Sequence, residues 1–245
     1  MKRIAGVLLA LVLTLGLAGT GHATVINLNS WSQAGVAANG DWTVSSDGTS
    51  VYQSVNSDAT YFVSGIDYID TLFQGSFGVE TTADDDYIGF VFGWNGLNDY
   101  YLLDWKQTTQ LSSSLGLAIE GFTLSKISGS DVNLWSHTGS GIEVLATAYG
   151  EDMGWLDNAL NTIVLDYSAN SLTVTVNGDL IFSLTGSFEA GEFGFYNFSQ
   201  TAVRYKDFTA TTRNTATPVP EPATFALLAA GLLGLAGCVR RRNRR

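Results

Sequence analysis

Between Thr24 and Arg213, apolar residues recur at every second position in short runs, and no long stretch has the 3.6-residue period of an amphipathic helix. The runs are rich in Val, Ile, Thr, Tyr and Phe, and clusters of Gly, Asn, Asp and Ser separate them. The same region contains no proline, which suits strands whose backbone N–H groups are all used in a sheet. The pattern therefore predicts an all-β domain over residues 24–213, built from two packed antiparallel sheets.

Two hairpins stand out in this region. Asn177-Gly178 lies between two alternating runs and is the typical signal of a type I′ turn. A second hairpin begins with Tyr87–Gly93, which is apolar on both faces and is predicted to lie near the centre of the sandwich. The predicted strands are Thr49–Val55, Thr71–Val79, Tyr87–Gly93, Tyr100–Gln107, Leu115–Ser125, Asn133–Trp135, Ile163–Tyr167, Leu172–Val176, Leu180–Leu184, Glu192–Phe198 and Val203–Thr209.

The N-terminus has the order of features found in a secretory signal. Lys2 and Arg3 precede the apolar stretch from Ile4 to Leu17, and Gly21-His22-Ala23 supplies a small-x-small cleavage site. Residues 1–23 are therefore predicted to be a signal peptide that signal peptidase removes. The alternative is an N-terminal membrane anchor.

The C-terminus has three parts in a fixed order. All three prolines lie within residues 214–222, the predicted linker, an apolar run follows over residues 223–239, and the basic residues 240–245 close the chain. The run is long enough for a single transmembrane helix, and the basic tail is expected to stay in the cytoplasm, which places the domain outside. A plain C-terminal membrane anchor would show the same features.

This C-terminus resembles the PEP-CTERM sorting signal of Gram-negative bacteria. The resemblance rests on a Pro-Glu-Pro motif, on the Gly/Ala/Leu-rich helix that follows it and on the arginine tail. It implies that an exosortase cuts near the motif, so that the protein is anchored transiently in the inner membrane and then reaches the cell surface or the extracellular matrix. Proteins of this class are associated with exopolysaccharide and the biofilm matrix. The matching motif residues are Val219, Pro220, Glu221 and Pro222.

The charge of the predicted domain excludes one class of partner. It contains five basic residues against 22 acidic ones, so it repels phosphate backbones and anionic lipid, and no nucleic-acid binding is expected. Contact with the membrane is expected only through the C-terminal helix, and cations are the natural partners. The only cysteine is Cys238 and the only histidine of the domain is His137, which excludes a disulfide and a Cys/His zinc site. His137 is interpreted as a loop histidine.

Most of the predicted domain resembles the thrombospondin C-terminal domain. The resemblance is strongest over Asp84–Gln107 and continues in Asn56-Ser57-Asp58, Leu134–Gly139 and Gly194–Gln200, in the same order along the chain. It implies a lectin-like, concanavalin A-like jelly-roll sandwich that is calcium-associated, extracellular and used in adhesion.

Three consecutive carboxylates, Asp84, Asp85 and Asp86, lie on a turn that enters a strand. They repel one another, and none of the five basic residues of the domain is assigned to neutralise them. A hard cation held by carboxylate and carbonyl oxygens would stabilise the turn, and calcium suits an irregular loop better than magnesium. The alternative is a solvated acidic turn without an ion. Further oxygen donors are predicted from elsewhere in the fold at Asn56, Asp58, Asp99 and Asp104.

Tryptophan is the residue type that suggests sugar binding. Trp105 is in phase with Tyr101 and Leu103 on one strand face, which is the pattern of a core residue. Trp94 lies on the loop side of its hairpin and is the better candidate for exposure, where its ring would contact a glycan. The alternative for each tryptophan ring is packing in the core or in a loop.

An enzyme is not expected. Glycosidases on lectin-like sandwiches align carboxylates on one strand, whereas this chain has no Glu-x-Asp-x-Glu run, and Glu189 and Glu192 do not share a strand face. The favoured function is therefore a non-enzymatic surface or matrix module that binds calcium and an extracellular polysaccharide or surface glycan. The alternative is a carbohydrate-active hydrolase on the same sandwich, for which two carboxylates would have to meet in the fold.

Overall fold

The computed structural model of the protein describes residues 22–213 and shows an all-β domain whose only helices, among these residues, are two single 3-10 turns, Leu28–Ser30 and Ala37–Asn39. Most of the predicted signal peptide, and all of the predicted linker, sorting motif, transmembrane helix and basic tail, lie outside the described residues. Within residues 22–213, no helix has both the length and the apolar character needed to cross a membrane. The strands are β1 (Thr24–Val25), β2 (Ser32–Ala34), β3 (Trp42–Val44), β4 (Ser50–Gln53), β5 (Thr60–Tyr68), β6 (Thr71–Val79), β7 (Tyr87–Trp94), β8 (Tyr100–Lys106), β9 (Gln110–Ser112), β10 (Gly116–Ala118), β11 (Gly121–Ile127), β12 (Ile142–Tyr149), β13 (Asn161–Tyr167), β14 (Ser171–Val176), β15 (Asp179–Thr185), β16 (Gly191–Phe198) and β17 (Val203–Thr212).

The strands form two large antiparallel sheets. The first has the order β15-β14-β13-β6-β17-β4-β3, with β1 also paired to β17, and the second has the order β12-β11-β8-β7-β16-β5-β2. Strands β9 and β10 pair only with each other. The chain changes sheet several times, for example between β6 and β7, as expected for two sheets that pack face to face. The predicted all-β sandwich is confirmed.

The main core lies between the two sheets and is rich in aromatic rings. The rings of Phe195 and Tyr205 stack with their centroids 4.3 Å apart, so that β16 of one sheet packs directly on β17 of the other. Trp105 shares this core with Tyr101 and Leu103, which confirms the assignment made from their spacing. Contacts between aromatic rings add to the large apolar area that such side chains bury.

A second apolar cluster covers the outer face of the second sheet. Tyr87 and Val91 of β7 lie in this cluster beneath Trp135, which belongs to the segment between β11 and β12. The other face of β7 contributes Phe90 and Phe92 to the main core. Strand β7 is therefore buried on both faces, as its sequence predicts.

The local predictions hold best at turns with a strong sequence signal. Asn177 and Gly178 link β14 to β15 with left-handed φ angles of 53° and 91°, which confirms the predicted hairpin. The predicted strand Leu115–Ser125 is instead two strands, because the chain turns at Gly121, whose φ is 113°, and β10 pairs only with β9. Asn133–Trp135 is not a strand: Asn133 forms an isolated bridge with Thr138. The structure also contains six strands that were not predicted: β1, β2, β3, β5, β9 and β12.

Candidate functional site

The connection between β6 and β7, residues 80–86, carries the three consecutive aspartates across from the first sheet to the second. Its backbone is held at both ends. The N–H of Glu80 donates to the carbonyl of Ala202 at 2.7 Å, and the N–H of Asp86 donates to Oε1 of Gln200 at 2.9 Å. These bonds fix the connection although it has no regular secondary structure.

The carboxylates of Asp84, Asp85 and Asp86 lie close together around a buried lysine. Their nearest oxygens are within 4.8 Å of one another. Nζ of Lys106 is fully buried and lies 2.8 Å from Oδ1 of Asp86, 3.0 Å from Oδ1 of Asp85 and 2.7 Å from the Asp85 carbonyl. It also donates to Oε1 of Gln110 at 3.1 Å. The expectation that no basic residue neutralises the turn is therefore wrong, because Lys106 compensates one of the three charges.

The register of β7 and β8 explains how Lys106 reaches the turn. Lys106 is the last residue of β8 and pairs with Tyr87, the first residue of β7, so its side chain lies beside Asp86. Nζ also lies 5.3 Å from the centre of the Trp135 ring, a cation–π contact on its apolar side. An ammonium group can be buried here because carboxylates, a carbonyl and an aromatic face surround it.

The aspartates differ in how their charge is compensated. Burial raises the pKa of Asp85, but hydrogen bonds from Thr108 and Lys106 outweigh burial and leave that pKa below its usual value. Burial, and after it the charge of Asp86, raise the pKa of Asp84 to about 6. Lys106 contacts Asp85 and Asp86, and within residues 22–213 no basic side chain pairs with Asp84, so the uncompensated negative charge is concentrated around Asp84.

Of the other predicted oxygen donors, Asn56 alone contacts the turn. Its amide Nδ2 donates to Oδ2 of Asp84. Asp58 is exposed and is not one of the three carboxylates that cluster within residues 22–213. Asp99 instead pairs with Lys126, whose Nζ lies 2.5 Å from Oδ1.

Asp104 lies elsewhere and forms a pair that the sequence did not reveal. It is fully buried on the outer face of the second sheet, and its Oδ2 lies 2.8 Å from Nε2 of His137. Burial raises the pKa of Asp104, while His137 opposes that shift. His137 does lie on a loop, as predicted, with a left-handed φ of 52°. The two residues are 33 positions apart in the sequence, which explains why no local pattern indicates the pair.

Trp94 is not the exposed ring that its position suggests. It is only 5% exposed, and its ring centre lies 4.7 Å from those of Tyr61 and Tyr100 in the outer cluster. Trp94 is not exposed because it belongs to the apolar cluster that covers the outer face of the second sheet, and this cluster extends to the loop end of the hairpin. A buried ring offers no face to a glycan.

Comparison with known families and proteins agrees with both resemblances. The sequence profile of the thrombospondin C-terminal region matches residues 37–214, and that of the PEP-CTERM protein-sorting motif matches residues 218–242. Thrombospondin-2 of Gallus gallus is 28% identical over 192 residues, covering 68% of this chain and 16% of that protein. Thrombospondin-4-B of Danio rerio is 39% identical over 70 residues, covering 29% of this chain and 7% of that protein. The chain thus spans only a small part of the length of these relatives.

Solved structures of similar shape confirm the lectin-like jelly-roll fold. A carbohydrate-binding module, CBM66 from Bacillus subtilis, aligns with a TM-score of 0.54 and 12% identity, covering 76% of this chain and 97% of that one. The exoplasmic/lumenal domain of VIP36, in a form bound to Ca²⁺ and Man3GlcNAc, aligns with a TM-score of 0.51 and 14% identity, covering 82% of this chain and 93% of that one. At such identities the similarity shows the fold alone. The sorting motif marks an exported protein that is held transiently in the membrane of a Gram-negative bacterium before processing.

Proposed function

Because this chain belongs to the thrombospondin C-terminal region family and carries a PEP-CTERM sorting motif, we propose that it is a non-catalytic adhesion module of the cell surface or biofilm matrix. In this proposal an exosortase processes the C-terminus, and the released domain binds an extracellular polysaccharide with the help of calcium. The lectin-like sandwich and the excess of acidic over basic residues support a module that recruits cations.

The observation that carries the calcium proposal is the contact between the carboxylates of Asp84 and Asp86. Burial, and after it the charge of Asp86 close by, raise the pKa of Asp84 to about 6, so the ionised Asp84 lacks a compensating positive charge. Lys106 pairs with both Asp85 and Asp86, and Thr108 adds a further hydrogen bond to Asp85, whereas Asp84 has no basic partner among residues 22–213. We therefore assign Asp84 as the first calcium ligand and Asp86, which bonds Lys106 through Oδ1 only, as the second.

The amide oxygen of Asn56 would complete the protein's contribution after rotation of the side-chain amide. Carboxylate and amide oxygens are the donors that calcium uses in proteins. When bound, the ion would supply two positive charges, which match the two that Lys106 leaves uncompensated among the three carboxylates. The residues present therefore fit calcium.

The test is thermal unfolding of the purified protein with and without calcium. A ligand that binds only the native state stabilises it by about 2.7 kcal/mol at a concentration of 100 Kd. We expect Asp84→Asn to remove most of this increment, whereas the matched control Asp58→Asn keeps it, because Asp58 lies outside the cluster. Magnesium should have much less effect, since it demands regular octahedral geometry. No calcium response, or a response that survives Asp84→Asn, would reject the assigned site.

Adhesion without catalysis is tested on the same preparations. Matrix polysaccharide incubated with the protein and calcium should be retained, with no release of shorter saccharides. Retention should fall for Asp84→Asn and be unchanged for Asp58→Asn. Release of saccharides would show a hydrolase instead, and the absence of retention by the calcium-loaded parent would refute the adhesion proposal.

A further inference from the structure

Strands β9 and β10 form a hairpin whose exposed face is apolar. Leu111 and Leu117 are directly opposite each other in the two strands, so their side chains lie on the same face, and they are 76% and 47% exposed. Leu115 and Ile119 continue the same alternation on either side of Leu117 and are exposed as well. On the other face, Ala118 is fully buried against the domain. A hairpin with one face on a domain usually presents polar residues to water, so this apolar outer face requires an explanation.

The hairpin also lacks the features that protect an edge strand. Among residues 22–213, β9 and β10 pair only with each other, so neither joins one of the large sheets and β9 has no strand on its outer edge. Proteins commonly protect such an edge with charged residues or proline, and residues 107–119 contain neither. The hairpin is therefore suited to contact with another chain.

The hairpin is held in place on the domain. The indole N–H of Trp135 donates to the carbonyl of Gly116 at 3.1 Å, which fixes the start of β10. At the start of β9, Oε1 of Gln110 accepts a hydrogen bond from Nζ of the buried Lys106 at 3.1 Å. A partner would therefore meet a preformed surface and would not have to order the hairpin first.

The charge of the domain indicates what covers this face. The domain has five basic residues against 22 acidic ones, so it repels anionic membrane lipid, and residues 107–119 offer no Lys or Arg to a lipid headgroup. In a two-fold contact between copies of one chain, a charge near the axis meets its like, which is costly. This hairpin avoids that cost, because residues 107–119 are uncharged and Glu120, which follows them, accepts a hydrogen bond from the N–H of Gly154 at 3.1 Å.

We propose that two copies of this protein associate through the outer faces of their β9–β10 hairpins, with Leu111 and Leu117 of each copy packed against the same residues of the other. Four aliphatic side chains on a short hairpin supply much less than the roughly 800 Å² per partner that a stable dimer buries, so the association is weak. It becomes effective where many copies are held close together, as on a cell surface. The proposal does not depend on calcium or polysaccharide binding.

The test measures self-association of the purified full chain in detergent by sedimentation velocity, from micromolar to millimolar concentration. We expect a weak monomer–dimer equilibrium for the parent. In the double variant Leu111→Thr/Leu117→Thr the association constant should fall roughly tenfold or more, because apolar area is lost while threonine still suits a strand. The matched control is Leu180→Thr, which replaces a leucine that is 63% exposed on β15 and should associate as the parent does. All of these proteins contain the apolar run over residues 223–239, so the differences between them report on the hairpin.

A charge exchange identifies the partner as a second copy. In Leu117→Lys or Leu117→Glu alone, the introduced charge meets its like across the two-fold axis, and association should be lost. An equimolar mixture of the two variants should associate again, because opposite charges then face each other. A monomeric parent, unchanged association of Leu111→Thr/Leu117→Thr, or no recovery in the mixture would each overturn the proposal. If the parent stays monomeric but binds vesicles of phosphatidylethanolamine and phosphatidylglycerol more strongly than the double variant does, the face binds lipid instead.

Discussion

Replacing Lys106 with methionine removes the ammonium group at the centre of the aspartate turn and keeps an unbranched side chain of similar length. The loss falls on a specific set of contacts: two carboxylates, the carbonyl of Asp85 and the amide oxygen of Gln110 surround Nζ within 3.1 Å. Asp86 is itself only 4% exposed, so its charge cannot turn to water without moving the connection. The variant therefore leaves a buried carboxylate without its cation.

The magnitude follows from that burial. Removing one partner of a buried ion pair typically costs about 3–5 kcal/mol, because the remaining charge stays desolvated. For a domain of this size each kcal/mol lowers Tm by about 2–4 °C, so Tm should fall by about 6–20 °C. The matched control is Lys206→Met, where Nζ lies 3.8 Å from an exposed carboxylate of Asp207 and the expected cost is below about 1 kcal/mol.

Calorimetric or circular-dichroism melts of the two variants at pH 7 and at pH 5, with chelator present, measure the effect. In Lys106→Met the pKa of Asp85 must rise, because the hydrogen bond and charge of Lys106 that help to hold it down are gone, and part of the lost stability should return at the lower pH. A Lys106→Met variant that melts within 2 °C of Lys206→Met, as a surface pair would, would show that the ammonium group does not stabilise the turn.

Two further outcomes are expected. With chelator present, the stability of the protein should fall as the pH rises from about 4 to about 6. The reason is that the folded protein binds a proton at Asp84 more tightly than the unfolded chain does. Melts of Asp84→Asn over the same pH range should show a flatter dependence. Trp94→Ala should cost about 3–5 kcal/mol through the cavity left between Tyr61 and Tyr100, measured by denaturant unfolding, while polysaccharide retention per folded molecule stays unchanged. A stable variant with weakened retention would contradict the burial of that ring.

The period-two pattern was sufficient to predict the sandwich but not every strand. β6 has the predicted bounds, Thr71–Val79, and Asn177-Gly178 forms the predicted turn, because in both places the local sequence alone decides the conformation. β12 was missed because most of its residues are at least partly exposed, at the edge of the second sheet, where burial imposes little alternation on the sequence. Asn133–Trp135 was wrongly predicted to be a strand because its apolar residues are buried. They pack onto the outer face of the second sheet without being part of that sheet.

Lys106 shows why the compensating charge was not assigned from the sequence. It stands 20 residues after Asp86, at the end of a run whose other residues are almost all buried and apolar. Alternation indicates which face of β8 a residue occupies, but the hairpin register alone decides that this residue meets Asp86. A shift of one residue in that register would turn Lys106 to the other face of the sheet.

Strand order also decides which predicted donors can meet the aspartates. β5 and β7 both pair antiparallel with β16, so they run in the same direction and begin at the same end of the second sheet. Asn56 precedes β5 and Asp84 precedes β7, which brings the two side chains together. β8 runs antiparallel to β7, so Asp99, which precedes β8, lies at the opposite end. Asn56 therefore lies beside the turn and Asp99 does not, although both were proposed on the same residue chemistry. The deciding fact is the presence of β16 between β5 and β7, a long-range pairing that no local pattern encodes.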